Sequence, residues 1–170
     1  MSKDRLKRKL RHLCRFLALV AIGWLIYKSH QDFLIELEDR GHPIELSHAQ
    51  LYLPTIASLE PNPDDPAFLQ ALDANGTELG LVSQTSPAGN SAIGFSGSTN
   101  LLVIWDPEDR VSSVSIRSSG DTVDHVDAIL EDPAFFGQFK GKSMDELAQG
   151  EEISAVSGAT LTSLAIADAL

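Results

Sequence analysis

The sequence contains one cysteine, few aromatic residues and no apolar run long enough for a bundle of membrane helices. Because Cys14 is the single cysteine, the chain can form neither an internal disulfide nor an all-cysteine iron–sulfur site. Aromatic residues make up 6% of the chain, which leaves few rings for stacking nucleic-acid bases. The chain has 170 residues, which is enough for one domain plus an appendage, and its 43% hydrophobic residues are typical of a globular protein.

Charge is distributed unevenly along the chain. The formal net charge is −11, yet residues 1–15 carry +6, which leaves −17 for residues 16–170. An acidic body repels phosphate backbones, so we expect no nucleic-acid partner. His42, His48 and His125 lack the spacing of metal-binding histidine pairs, so we expect no metal site either.

The N-terminal segment predicts a membrane anchor. A basic cytoplasmic tail, residues 1–15, precedes an apolar segment, residues 16–28, and a stalk, residues 29–44. The strict apolar run of 12 residues has the length of a signal-peptide core, but no small-residue cleavage site follows it. Trp24 and Tyr27 stand where an interfacial aromatic belt lies, which favours an uncleaved anchor over a cleaved signal.

The order of strand and helix patterns in the body, residues 45–170, predicts an α+β domain with a mostly antiparallel sheet and short helices. Residues 42–90 contain most of the prolines and predict short extended pieces. We expect a helical turn or two at residues 66–72, and the stalk helix to end at Gly41. The other predicted elements are strands at 78–83, 101–105 and 111–117, turns at 73–76 and 106–110, helices at 123–130 and from 143 to about 150, and a short apolar element at 133–139.

The last segment carries the chemistry of the chain. Residues 157–163 read S-G-A-T-L-T-S and precede an Ala/Leu-rich stretch, residues 164–170, that predicts a helix. The N-terminus of a helix favours a phosphate, and Gly158 lets the backbone approach a ligand. The alternative is that Ser157 is an ordinary N-cap and the threonines are solvated.

This segment resembles the flavinylation motif of the FMN-binding domains in membrane proteins of the RnfG, NqrC and NosR/NirI types, with NosR-like proteins the nearest. Upstream segments follow the order and spacing of that family. These segments are residues 93–97, the hairpin 101–116, and residues 119–122 and 135–141. The resemblance covers roughly residues 78–170.

The resemblance implies that FMN is joined through its phosphate to the hydroxyl of Thr160. It also implies a separate Mg²⁺-dependent flavin transferase of the ApbE type, which makes the bond from FAD. The implied function is an electron-transfer module between membrane redox proteins, without a substrate of its own. The other implied cofactor-binding residues are Ser157, Gly158, Ala159, Leu161, Thr162, Gly97, Ser98, Asp121 and Thr122.

Two upstream groups are expected near the flavin, and one of them keeps an alternative interpretation. Gly94 and Gly97 punctuate a loop that we expect to approach the flavin closely, because glycine permits ligand contact that a Cβ would block. Asp121, Thr122 and His125 lie at a helix start near the implied flavin. Alternatively, the first two are simple caps and His125 is a surface residue.

The sequence departs from the family pattern at Ser154, where the family often has an acidic residue, although Glu151 and Glu152 are close. If the transferase requires that carboxylate, the chain is a flavin-free binding or regulatory domain of the same fold. The chain ends at Leu170, ten residues after Thr160, so we expect either a minimal stand-alone version or an incomplete chain.

The basic residues before Phe16 predict a single-pass inner-membrane protein with a cytoplasmic N-terminus and a periplasmic body. Reporter fusions at Gly41 and Leu170 are expected to give periplasmic signals. Cytoplasmic activity from either fusion would contradict this topology.

Overall fold

The computed structural model describes residues 3–39, 43–150 and 153–170, in two compact units, Met1–His42 and Pro43–Leu170. The first unit is one helix, α1, Lys3–Asp39. Within it, His12–His30 is long and apolar enough to cross a membrane by length and composition. This segment includes the predicted anchor, residues 16–28. The predicted cap Gly41 and the pair Glu151 and Glu152 lie outside the described residues.

The second unit is an α+β domain built on five antiparallel strands, which confirms the predicted fold class. The strands hydrogen-bond in chain order, so the sheet is a meander. The strands are β1 Ser58–Pro61, β2 Phe68–Leu72, β3 Glu78–Gln84, β4 Thr99–Trp105 and β5 Val111–Ser119. The helices are α2 Leu46–Gln50, α3 Val123–Glu131, α4 Met144–Ala148 and α5 Thr160–Ala169, with 3₁₀ turns at Ala88–Ser91 and Phe136–Phe139.

Strand β4 is the centre of the domain because all seven of its residues are buried. Leu101, Val103 and Trp105 face a core that also contains Ile129 of α3 and Ile166 of α5. The alternate residues of β4 belong to a second core on the opposite face of the sheet, which α2 covers. Burial on both faces explains why this strand reads as a continuous apolar run. Because Ile129 and Ile166 belong to the same core, α3 and α5 lie on the same side of the sheet.

The prediction of a helical turn at residues 66–72 is wrong, because this segment contains strand β2. Leu69 pairs with Pro61 of β1 on one side and with Val82 of β3 on the other. Ala71 is fully buried beneath the second core. Pairing on two sides satisfies the backbone of this segment and outweighs its weak local preference for helix.

Other local predictions are confirmed. In the β2–β3 turn, the Asp73 side chain accepts hydrogen bonds from the backbone N–H groups of Asn75 at 2.7 Å and Thr77 at 2.8 Å. Asp106 organises the β4–β5 turn in the same way. Ser143 and Glu146 form the predicted capping box at the start of α4.

We expect Leu101→Ala to lower the free energy of unfolding by about 2–5 kcal/mol, because Leu101 is fully buried in β4 and its loss leaves a cavity. Leu130→Ala on the exposed face of α3 is the matched control and is expected to cost about 0.5 kcal/mol or less. Urea denaturation of both variants measures the difference. Equal losses would show that β4 is not the centre of the core.

Candidate functional site

Helix α5 begins four residues earlier than we predicted from the sequence. We expected a helix over residues 164–170, whereas α5 spans Thr160–Ala169. The N-cap is Ala159, which has no capping side chain, so the interpretation of Ser157 as an ordinary N-cap is wrong. Thr160 is therefore the first helical residue, and Thr162 and Ser163 complete the first turn.

A tight turn leads into this helix. The N–H of Ala159 donates to the carbonyl of Val156 at 3.0 Å, which closes a β-turn over residues 156–159. Gly158 is the third residue of the turn and has a φ of +85°, a conformation that other residues rarely adopt. The position where a Cβ would lie is open space, so the turn itself requires the glycine.

The hydroxyl groups of the motif differ in their surroundings. Ser163 is fully buried, donates to the Ala159 carbonyl at 2.9 Å and accepts from the Val156 N–H at 3.0 Å. Thr162 is 1% exposed and donates to Asp121 Oδ2 at 2.6 Å. Thr160 and Ser157 are exposed, and their hydroxyls have no hydrogen-bond partner within the described residues. The fold therefore presents two of the four hydroxyls to solvent.

The carboxylate of Asp121 connects three segments of the chain. One oxygen accepts from the Phe95 N–H at 2.9 Å and from the Thr162 hydroxyl. The other accepts from the backbone N–H groups of Ser96 at 2.8 Å and Thr122 at 2.7 Å, and from the Ser96 hydroxyl at 3.1 Å. Asp121 is 8% exposed, so these bonds replace most of its contact with water.

These hydrogen bonds decide the charge state of Asp121. Burial is the largest single influence and acts to raise the pKa of the carboxyl group. Hydrogen bonds from Thr162, Thr122, Ser96 and Phe95 act in the opposite direction, and together they lower the pKa below its ordinary value. Asp121 is consequently an anion fixed beneath the first turn of α5.

The glycines of the loop at residues 94–97 are required by protein contacts. A Cβ on Gly94 would lie 2.0 Å from Asp121 Oδ2, and a Cβ on Gly97 would lie 2.2 Å from the Gly120 carbonyl oxygen. The loop is closed by the Gly94 N–H, which donates to the Gly97 carbonyl at 3.0 Å. We expected these glycines to make room for a ligand, but the space beside them is filled by Asp121 and Gly120.

A cleft of about 250 Å³ lies beside the start of α5. One wall consists of Phe95 and His125, whose rings meet edge to face with centroids 4.7 Å apart. The opposite side is residues 158–162. Phe95 and Leu161 are largely exposed, which is unusual for apolar side chains at the edge of a cleft.

Five of the ten predicted cofactor residues line the cleft. They are Gly158, Ala159, Thr160, Leu161 and Thr162. Asp121 lies directly behind them through its bond to Thr162, and Thr122 is the N-cap of α3. Ser157, Gly97 and Ser98 are not among the residues that line the cleft, and Ser98 is buried in a β-bridge with Ile93.

Sequence reasoning left Phe95 out of the predicted site, although an aromatic residue between two loop glycines is a recognisable signal. His125, considered both as a flavin-proximal and as a surface residue, lines the cleft, and its Nδ1 is buried without a hydrogen-bond partner. Ser154 lies on an exposed segment, where its N–H donates to Gln138 Oε1 at 2.8 Å.

Comparison with known proteins finds similarity in the segment that contains the cleft. Residues 94–170 match the sequence model of the FMN-binding domain, and this range contains every residue that lines the cleft. Among solved structures, Shewanella oneidensis NqrC matches with 17% sequence identity and a TM-score of 0.42, over 78% of this chain and 72% of NqrC. No curated protein matches the chain.

We expect Asp121→Asn to lower the free energy of unfolding by about 1.5–3 kcal/mol at neutral pH, because the amide cannot accept all the bonds that the carboxylate accepts. A lowered pKa in the folded state stabilises the protein above the ordinary Asp pKa, about 3.9. This stabilisation is lost as the pH falls through the folded pKa, so the difference between wild type and variant is expected to shrink in acid.

Denaturation curves at neutral and acidic pH measure this difference. Asp132→Asn is the matched control, because Asp132 accepts one backbone N–H, from Ala134 at 2.9 Å, and its replacement is expected to cost about 0.5 kcal/mol or less. A difference for Asp121→Asn that stays constant from neutral to acidic pH would show that its charge does not stabilise the site.

Proposed function

We propose that the domain, whose residues 94–170 match the FMN-binding domain, binds FMN and carries it covalently through a phosphate ester to Thr160. The protein then acts as a membrane-anchored module that transfers electrons between membrane redox proteins. In this proposal, α1 crosses the inner membrane once, residues 1–15 are cytoplasmic, and the domain from residue 45 onward is periplasmic.

One observation carries the assignment of Thr160. Of the four hydroxyl side chains in residues 157–163, Thr160 is the one that is exposed, lacks a hydrogen-bond partner within the described residues and lines the cleft. Ser157 is exposed but does not line the cleft, and the other two are buried and hydrogen-bonded. A transferred phosphate needs an accessible oxygen beside the pocket that receives the ligand.

The residues around Thr160 fit a flavin phosphate and ring. Thr160 is the first residue of a ten-residue helix, whose first N–H groups have no acceptor within the helix and whose dipole favours a negative charge. A phosphodiester keeps one negative charge, which such a site stabilises by up to about 2 kcal/mol. The aromatic and apolar side chains of Phe95 and Leu161 flank the same cleft and suit a planar aromatic ring.

The attachment reaction balances with FAD as the donor. The Thr160 oxygen attacks the phosphorus on the FMN side of the pyrophosphate, the Thr160 O–P bond forms, the P–O bond to AMP breaks, and AMP leaves. A threonine hydroxyl is a weak nucleophile, and among the described residues no side chain hydrogen-bonds to Thr160 as a base. We therefore assign the proton acceptor and the Mg²⁺ to a flavin transferase of the ApbE type.

The role of the chain in electron transfer is binding and orientation. FMN, when bound, supplies one-electron and two-electron redox chemistry. Thr160 prevents its dissociation, which matters for a protein outside the cytoplasm where free flavin is scarce. In this proposal the protein carries electrons and has no substrate of its own.

A second function is favoured by one observation at Ser154. This residue stands where the family often has a carboxylate, and its segment is exposed and held by Gln138. If the transferase recognises the domain through that carboxylate, Ser154 prevents modification. The protein would then be a flavin-free binding or regulatory domain of the same fold.

We expect the full chain, purified from cells that contain the transferase, to exceed its sequence mass by one FMN less one water. Thr160→Ala is expected to remove this increment completely, because the attacking oxygen is gone. Thr160→Ser is expected to be modified in part, because it keeps the hydroxyl and loses the methyl group. Intact-mass spectrometry and retention of yellow colour after denaturation measure the result.

Thr162→Ala and Ser163→Ala are the matched controls, and both are expected to reach the wild-type increment at completion. An increment in Thr160→Ala would place the bond on another residue. An unmodified wild-type chain would support the flavin-free function, and Ser154→Asp would then be expected to restore modification.

A further inference from the structure

Two threonines line the cleft, and the fold makes the hydroxyl of only one of them available. Thr160 and Thr162 both line it, but Thr162 is 1% exposed. We infer that Asp121 is a positioning residue for flavin attachment, which holds Thr162 in place and thereby presents Thr160 as the acceptor. This inference rests on the proposed function of Thr160.

The geometry of Asp121 suits it for this role. Its Oδ2 accepts the Thr162 hydroxyl at 2.6 Å, a short bond of the kind formed with a charged acceptor. The carboxylate cannot rotate freely, because backbone N–H groups of Phe95, Ser96 and Thr122 bind both oxygens. Thr162 is thus bonded to an acceptor that is itself fixed by the loop at residues 94–97 and by the start of α3.

A carboxylate beside a hydroxyl could also activate it as a nucleophile, but two observations oppose that role here. Thr162 has almost no contact with solvent, and the loop packs closely against it, because a Cβ on Gly94 would lie 3.1 Å from the Thr162 Cα. The hydrogen bonds to Asp121 also lower its pKa, which makes it a weak base. The bond to Thr162 therefore restrains the hydroxyl.

Restraint of Thr162 determines the direction of Thr160. Successive residues of a helix are about 100° apart around its axis, so two residues that are two positions apart point to different sides. When Thr162 faces Asp121 in the interior, Thr160 faces away from it, toward the open cleft. The bond between α5 and Asp121 thus sets the rotation of the first turn together with the burial of Ser163 and Ile166.

The experiment measures the initial rate of mass increase when the full-length protein is incubated with an ApbE-type transferase, FAD and Mg²⁺. Thr162→Val keeps the shape of the side chain and loses the bond, so we expect the rate to fall by about 10-fold to 100-fold, as misplacement of a reacting group does. Thr162→Ser keeps the hydroxyl and is expected to restore most of the rate. Asp121→Asn is expected to slow the reaction as Thr162→Val does.

The double variant Asp121→Asn with Thr162→Val is expected to be no slower than the slower single variant, because both remove the same interaction. Thr85→Val is the control for a lost buried threonine bond, since the Thr85 hydroxyl accepts the Leu101 N–H at 3.0 Å outside the cleft. Its rate is expected to equal that of the wild type, even if its thermal stability falls as much as that of Thr162→Val.

Wild-type rates in Thr162→Val would overturn the inference, as would equal slowing of Thr85→Val. FMN on Thr162 in the Thr160→Ala variant, mapped by peptide mass, would show that Asp121 activates Thr162 and would overturn it as well. Should Asp121→Asn fail to fold, the comparison of Thr162→Val with Thr162→Ser decides the question. If the wild-type chain is not modified at all, the proposed function is overturned. If the wild type and the variants are modified at equal rates, only the role of Asp121 is overturned.

Discussion

The hydrogen bonds to the Asp121 carboxylate are the interaction on which the site depends. They join the loop at residues 94–97, the start of α3 and the first turn of α5, which are distant from one another along the chain. A buried carboxylate is costly unless its oxygens are satisfied, so these donors must stay in place as long as Asp121 is charged. That requirement holds the loop that carries Phe95 beside the first turn of α5.

The sheet provides the support for this arrangement. Strand β4 begins at Thr99 and β5 ends at Ser119, and their hydroxyls are 2.8 Å apart at the end of the sheet that adjoins Asp121. Ile129 of α3 and Ile166 of α5 pack in the same core as β4, which holds both helices against one face. The site therefore rests on buried, rigid elements, as a cofactor that must keep its orientation requires.

The proposed covalent attachment would keep the cofactor on the domain. A cofactor carried outside the cytoplasm has to stay bound without a supply of free ligand, and a phosphate ester removes dissociation altogether. Thr160 is exposed and lines the cleft of about 250 Å³. Under the proposed function, the domain itself selects among the neighbouring hydroxyls, because those of Thr162 and Ser163 are already engaged in hydrogen bonds.

The sequence by itself determined the features that depend on neighbouring residues: the turns at Asp73 and Asp106, the capping box of Ser143, the apolar strand β4 and the presence of a C-terminal helix, although not its start at Thr160. These follow from short-range hydrogen bonds and hydrophobic patterns. Only the tertiary structure decided that residues 68–72 form a strand, because pairing on both sides outweighs local preference. It alone paired Thr162 with Asp121, 41 residues away, since contacts between distant segments form through packing and leave no local pattern.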